Sequence, residues 1–270
     1  METKYKTKPL IIFIMIVFGL TYIFGGVLYF VNNKIILSNL IMLFPAISAI
    51  IVWIYFYKHQ KFTEFFSLRI GKLKYWAIYP FTMIIIITLI YLISYVVNPN
   101  QFLDIFDIMH KLLIPLVVNI TVGVLVSLVA YLGEELGWRA FMYPILIDKL
   151  GTKKGLLTGG IIWGFWHLPL ILQGHNYPNN PSLGVFLMVA MCIPLGIILY
   201  YTYLKTKSVF MPAVLHGIFN QFSTTVYMFA LKRSEFNSLI YGPTGVIGII
   251  VLSIFALILI LKIDNIDRKS

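Results

Sequence analysis

Cysteine, charge and polar linkers are all scarce in this chain, and each scarcity removes a class of protein. Cys192 is the single cysteine, so no internal disulfide is available and no cysteine-type metal site can be built. Charged residues make up only 11% of the 270 positions, against about 25% in soluble globular domains. The sequence has no internal repeat, no low-complexity tract and no polar stretch long enough to fold as a soluble domain. Acidic residues number 10 against 21 Lys and Arg, a balance of +11. In a soluble protein that balance would suggest nucleic acid. No basic stretch here combines length with the aromatics on which bases stack, so nucleic acid is set aside as a partner. Anionic membrane lipid is the expected counter-charge.

What the chain has in excess is apolar residues, 60% of the total, with a mean hydropathy of +0.90. The bilayer is therefore the solvent to reason from, and a backbone in lipid must satisfy its own hydrogen bonds. Runs of about 20 apolar residues are the length of a spanning helix. Read from charge to charge, the candidates are 9–31, 36–57, 76–97, 112–133, 155–173, 182–204, 209–230 and 243–261. The uncharged stretch from Gly155 to Leu204 is split in two by the polar, proline-containing run 173–182. Lys4, Lys6 and Lys8 resemble the start of a signal peptide. The apolar run after them is uncharged from Pro9 to Asn33, longer than a signal core of about 7–15 residues, and reads as a first span. The expected fold is thus all-α: one integral membrane domain over 1–270, a polytopic bundle of about eight spans.

Charge placement orients it. With the N-terminus inside, the outer segments hold only Lys34, Lys111, Lys232 and Arg233 of the 21 basic residues. The rest, Arg139 and Lys149 to Lys154 among them, fall on the inner side. Such asymmetry places both termini in the cytoplasm of a multi-pass cell-membrane protein. The longest inner loop, 58–75, is basic with interleaved Phe62, Phe65, Phe66 and Leu68. It reads either as an amphipathic segment at the interface or as an ordinary basic loop.

Ionisable residues at membrane depth are costly and mark function by default. Here they cluster in a motif-bearing core, 112–230, in three short segments: Gly133–Arg139, Trp163–His167 and His216–Asn220. Glu135 and Arg139 are four apart and share a helical face, as an ion pair requires. Glu134 is offset by about 100° and points elsewhere. At 1.5 Å per residue, Glu134 lies ~21 Å from Asp148, His167 ~20 Å beyond Lys154 and His216 ~14 Å beyond Lys207. Three independent segments thus bring a glutamate and two histidines to overlapping depths. His216 and Asn220 again share one face. Gly155-x-x-x-Gly159 and Gly160-x-x-x-Gly164 offer small-residue patches for close helix approach. Each histidine alone reads more readily as a satisfied polar residue in a bundle. Taken together, the set reads as a site.

A carboxyl group held in a dry bundle suits general acid–base work near neutral pH. A histidine beside it can share a water and activate it, while the His216/Asn220 face donates to a developing oxyanion. A second arrangement uses Glu134, His167 and His216 as ligands of a zinc ion with an open position for water. The sequence leaves both open, although no His-Glu-x-x-His is present. Ser127 and Ser223 sit in no nucleophile motif and read as packing hydroxyls.

Glu134-Glu135-x-x-x-Arg139, the aromatic-x-x-x-His ending at His167, and His216-x-x-x-Asn220 resemble the three motifs of the CAAX protease and bacteriocin-processing family of intramembrane proteases. The likeness covers 134–220. It departs at Trp163, where the second motif usually begins with Phe, a swap expected to touch packing rather than chemistry. The resemblance implies a water activated by Glu134 and His167, an oxyanion held by His216 and Asn220, and a supporting role for Glu135 and Arg139. It also implies a cavity open to the cytoplasm and a peptide or protein substrate, lipidated or hydrophobic. Two other readings stand beside it. One is a catalytically silent protein of the same fold, acting in bacteriocin immunity or peptide binding. The other is a small transporter relaying protons, which needs a polar path that the outer halves of the spans offer only at Asn119, Thr121 and Ser223 to Thr225.

Overall fold

The computed structural model describes residues 6–30 and 40–267. Lys4, Lys34, Arg268 and Lys269 of the charge argument, the end of the first expected span and the start of 36–57 lie outside the described residues. The described chain is helical. Among the described residues, strand-type pairing is limited to an isolated bridge between Phe102 and Leu231.

The principal helices are α1 (Thr7–Tyr29), α2 (Phe44–Phe56), α3 (Lys74–Val97), α4 (Ile105–Val126), α5 (Leu128–Glu135 continuing through Leu136–Met142 and Tyr143–Leu150), α6 (Thr152–Trp166), α7 (Pro181–Thr206), α8 (Phe210–Phe229) and α9 (Val246–Asp267). Among the described residues, five of them (α1, α3, α4, α7 and α9) are long and apolar enough to cross a membrane. α4 leaves Leu113, Ile114, Leu125 and Val126 exposed, a face suited to lipid rather than water. The run expected as one span over 112–133 is divided at Ser127, whose backbone (φ −92, ψ 5) leaves the helical region. Glu134 therefore belongs to a second helix, α5, that continues to Leu150.

Glycine spacing decides how the central helices pack. A Cβ on Gly160 would sit 2.5 Å from Ile193 Cα, and one on Gly164 2.5 Å from Val189 Cα. α6 is thus pressed against the backbone of α7. On the other pair, a Cβ on Gly155 would sit 2.7 Å from Ile147 Cα and one on Gly159 2.8 Å from the Tyr143 ring, which seats α6 on the last turns of α5. A third small-residue pair, Gly133 and Gly137, seats α5 where an added Cβ would collide with Met42 O and Pro45 Cβ. In an apolar solvent such close approach is what drives helices together.

α8 runs antiparallel to α4 and α5. His216 meets Glu135, Gln221 Nε2 donates to Tyr131 Oη at 3.2 Å, and Asn119 Nδ2 donates to Thr225 Oγ1 at 3.0 Å. The segment after α2 holds only a single helical turn, Phe62–Phe65. Phe66 is buried, and Phe62 and Phe65 pack on Trp53 and Tyr57. Its aromatics enter the bundle instead of lining an amphipathic interfacial helix. Arg139, placed by the charge reading on the inner surface, is wholly buried. Its partner Glu135 supplies the counter-charge that a buried guanidinium requires, so it adds nothing to the surface asymmetry.

Candidate active site

α5 carries two carboxylates and sends them to different partners. Its middle, Leu136–Met142, is a π-helical stretch, the wide turn that often accompanies functional sites. Glu135 Oε1 receives Arg139 Nη1 at 3.2 Å and faces His216 Nδ1 at 2.9 Å, while Arg139 Nε pairs with Oε2 at 3.2 Å. The guanidinium is covered by aromatic faces, 3.9 Å from the Trp163 ring centroid and 5.5 Å from that of Tyr143. Those faces take the place of hydrogen-bond partners for Nη2. Glu134 turns the other way. Its Oε2 accepts Trp163 Nε1 at 2.8 Å and Trp138 Nε1 at 3.3 Å.

His167 is set by a break. Pro169 has no N–H to extend the α6 ladder and fits the first turn of a new helix, Leu168–Ile171. His167 caps the end of α6 and approaches Trp163 O through Nδ1 at 2.9 Å. A carbonyl only accepts, so Nδ1 carries the proton and Nε2 of the neutral ring is an acceptor. The His167 ring lies 4.8 Å from that of Trp166 and 5.8 Å from that of Trp163. Trp166 in turn donates to Thr21 Oγ1 at 2.7 Å, tying α1 to the site. His216, on α8, sits 5.5 Å from the Trp163 ring and 5.3 Å from that of Tyr131.

Glu134, His167 and His216 therefore meet around one indole, that of Trp163. Glu134 and His216 are 2% and 4% exposed, and His167 is half-buried. Asn220 lies one turn beyond His216 on the same face of α8 and is half-buried. Among the described residues no hydrogen bond engages its side chain. The Glu135–Arg139 pairing follows the spacing expected of it.

Two donors to Glu134 are absent from the expected set. Trp138 had a signal in the sequence, since it stands four residues after Glu134 as Arg139 does after Glu135. Trp163 had a weaker one. The exchange of Phe for Trp was expected to touch packing alone, yet it places an N–H on the carboxylate.

The donor set does not fit zinc as arranged. Among the described residues no three His, Cys, Asp or Glu side chains converge closely enough to hold a metal ion, whereas a catalytic zinc needs three protein ligands. Glu135 is already paired with a cation and one oxygen of Glu134 with two indoles.

Two concave regions flank the bundle. One of about 340 Å³ lies beyond Asn220, where Ser223, Thr224 and Tyr227 of α8 face His175, Phe236 and Tyr241. The other, of about 480 Å³, lies between His59, Lys61, Glu64 and Tyr203. Neither is lined by Glu134, His167 or His216, so the expected cytoplasmic opening onto those residues does not coincide with either.

Residues 115–222 match the family described as Type II CAAX prenyl endopeptidase Rce1-like. The chain is also similar to the CAAX prenyl protease 2 of Methanococcus maripaludis, 34% identical over 92 residues. That alignment takes in 32% of this chain and 34% of the relative, so the chain matches about a third of the relative's length. The family match contains all three segments that surround Trp163, and over residues 115–222 the chain is similar to the Rce1-like CAAX prenyl endopeptidases.

Proposed function

We propose that this chain is a CAAX-type intramembrane endopeptidase in which water is the nucleophile and no metal takes part. The observation that carries the reading is the convergence of Glu134, His167 and His216 on the Trp163 indole, inside an apolar bundle. Glu134 Oε2 is taken up by two indoles, which leaves Oε1 to accept a proton from a water. His167 Nε2, an acceptor while Nδ1 donates to Trp163 O, holds the second hydrogen of that water. The water oxygen bonds to the scissile carbonyl carbon as Glu134 takes its proton. The carbonyl oxygen gains the negative charge, and His216 Nε2 and the Asn220 amide donate to it. His216 has Nδ1 committed to Glu135, so its Nε2 donates only from the imidazolium form; Glu135 balances Arg139, and the developing oxyanion balances the imidazolium. Collapse of the intermediate breaks the C–N bond, and the proton on Glu134 passes to the leaving amine.

The proposed setting is a bundle of about eight spans with both termini cytoplasmic, in contact with membrane lipid. The proposed substrate is a peptide or protein held at the membrane, and the name of the archaeal relative makes a prenylated C-terminal peptide the first to try. The test is cleavage by the purified chain in lipid nanodiscs of prenylated and unmodified peptides, read by mass spectrometry. Glu134→Ala is expected to lower turnover by about 10²–10⁴-fold, the usual worth of a general base. Peptide binding without turnover in the wild type would leave a silent binding protein as the better reading, and undiminished cleavage by the variant would overturn Glu134 as the general base.

A further inference from the structure

Trp163 is in contact with Glu134, Arg139, His167 and His216. Its Nε1 reaches Glu134 Oε2 at 2.8 Å, one face of its ring lies 3.9 Å from the Arg139 guanidinium, and the rings of His167 and His216 flank it at 5.8 and 5.5 Å. The ring is 1% exposed and Trp138, the second donor, is fully buried. Both indoles address the same oxygen of Glu134. Among the described residues no donor addresses Oε1, and Oε1 is not one of the sealed side-chain atoms left without a partner. The two oxygens of this carboxylate thus differ: one is held from two sides, and the other has no donor among the described residues.

That difference has a physical consequence. The terminal torsion of a glutamate is broad and nearly two-fold, so an unheld carboxylate spreads its two oxygens over many directions. Charge-assisted hydrogen bonds are the stronger kind, and here the donors cannot swing away. Arg139 covers one ring, and Trp166 and Phe13 pack edge-on against the other at 5.6 Å each.

We propose that Trp163 is a positioning residue: its indole N–H, seconded by that of Trp138, pins Glu134 Oε2 so that Oε1 alone is presented as the proton-accepting oxygen. The proton-accepting part rests on the peptidase reading above, whereas the pinning does not. Trp163→Phe keeps an aromatic ring in the slot and deletes only the donor. In nanodisc-reconstituted full-length protein this variant is expected to lose about 10–100-fold in kcat, the worth of one hydrogen bond to a charged group. KM stays unchanged, since the substrate is not touched. A purely structural Trp163 would leave kcat at the wild-type value in all molecules that remain folded.

The pinning is read without turnover. The chain has five tryptophans, so an indole ¹⁵N–¹H spectrum holds few signals, and the loss of one in Trp163→Phe assigns it. Glu134→Gln is expected to move the Trp163 and Trp138 signals and leave those of Trp53 and Trp76 in place. An unmoved Trp163 signal, or a Trp163→Phe variant with undiminished kcat, overturns the proposal. A wild-type protein that cleaves no peptide overturns the peptidase reading, and the indole signals still decide the pinning.

Discussion

Replacing Arg139 with methionine tests the energetic centre of the bundle. The substitution keeps an unbranched side chain of similar reach and removes a guanidinium that pairs twice with Glu135 at 3.2 Å and stacks 3.9 Å from Trp163. Both charged side chains are fully buried, so the loss leaves the Glu135 carboxylate with His216 as its remaining partner at 2.9 Å. Breaking one side of a buried pair typically costs about 3–5 kcal/mol, because the stranded charge dominates. That is roughly two to four powers of ten in the folding equilibrium. Adding Glu135→Gln removes the stranded charge and keeps an oxygen that can accept from His216. The double variant should therefore recover a good part of the loss, with a coupling energy of about 2–3 kcal/mol. The assay is reversible unfolding by SDS titration in mixed micelles, comparing both single variants and the double. A single-variant loss below about 1 kcal/mol, as for an exposed pair, would refute the reasoning. So would a double variant that is no more stable than Arg139→Met alone.

Three further outcomes are expected. Gly164→Leu drives a side chain into the backbone of α7 at Val189 and should cost about 1–3 kcal/mol or more, whereas Gly26→Leu, with open space around its Cβ, should be tolerated; the same titration compares them. Asn220→Ala should lower kcat by about 10²–10³-fold at constant KM, if its amide acts as an oxyanion donor, read by the peptide assay. Cysteines placed at Lys205 and Lys232 should be labelled by a membrane-impermeant reagent from opposite faces of the cell membrane, Lys232 from outside. Labelling of both from one side would overturn the assignment of sides.

Several features were legible without coordinates because they depend on spacing along one helix. Glu135 and Arg139 pair because four residues make nearly one turn, and Glu134 diverges because one residue turns the helix by about 100°. The Gly160/Gly164 pair announced a close contact since a missing Cβ is visible in sequence. The resemblance of the three motifs to one family was likewise a matter of order and spacing. The same i, i+4 rule applied to Glu134 would have found Trp138, and applied to Gly133 it would have found the contact with α2.

What only the tertiary structure decided is which separate helices share an atom's neighbourhood. Nothing in the sequence states that Trp163 donates to Glu134 across 29 positions, or that His216 faces Glu135 across 81. Nor does it place Arg139 in the interior, since a lone arginine between apolar runs reads equally well as the end of a loop. Local periodicity sets how a helix presents its faces, and hydrophobicity sets the solvent in which it must do so. Which faces meet depends on tilts, on the break at Ser127 and on the restart at Pro169, where small changes of backbone angle carry side chains by whole helix diameters.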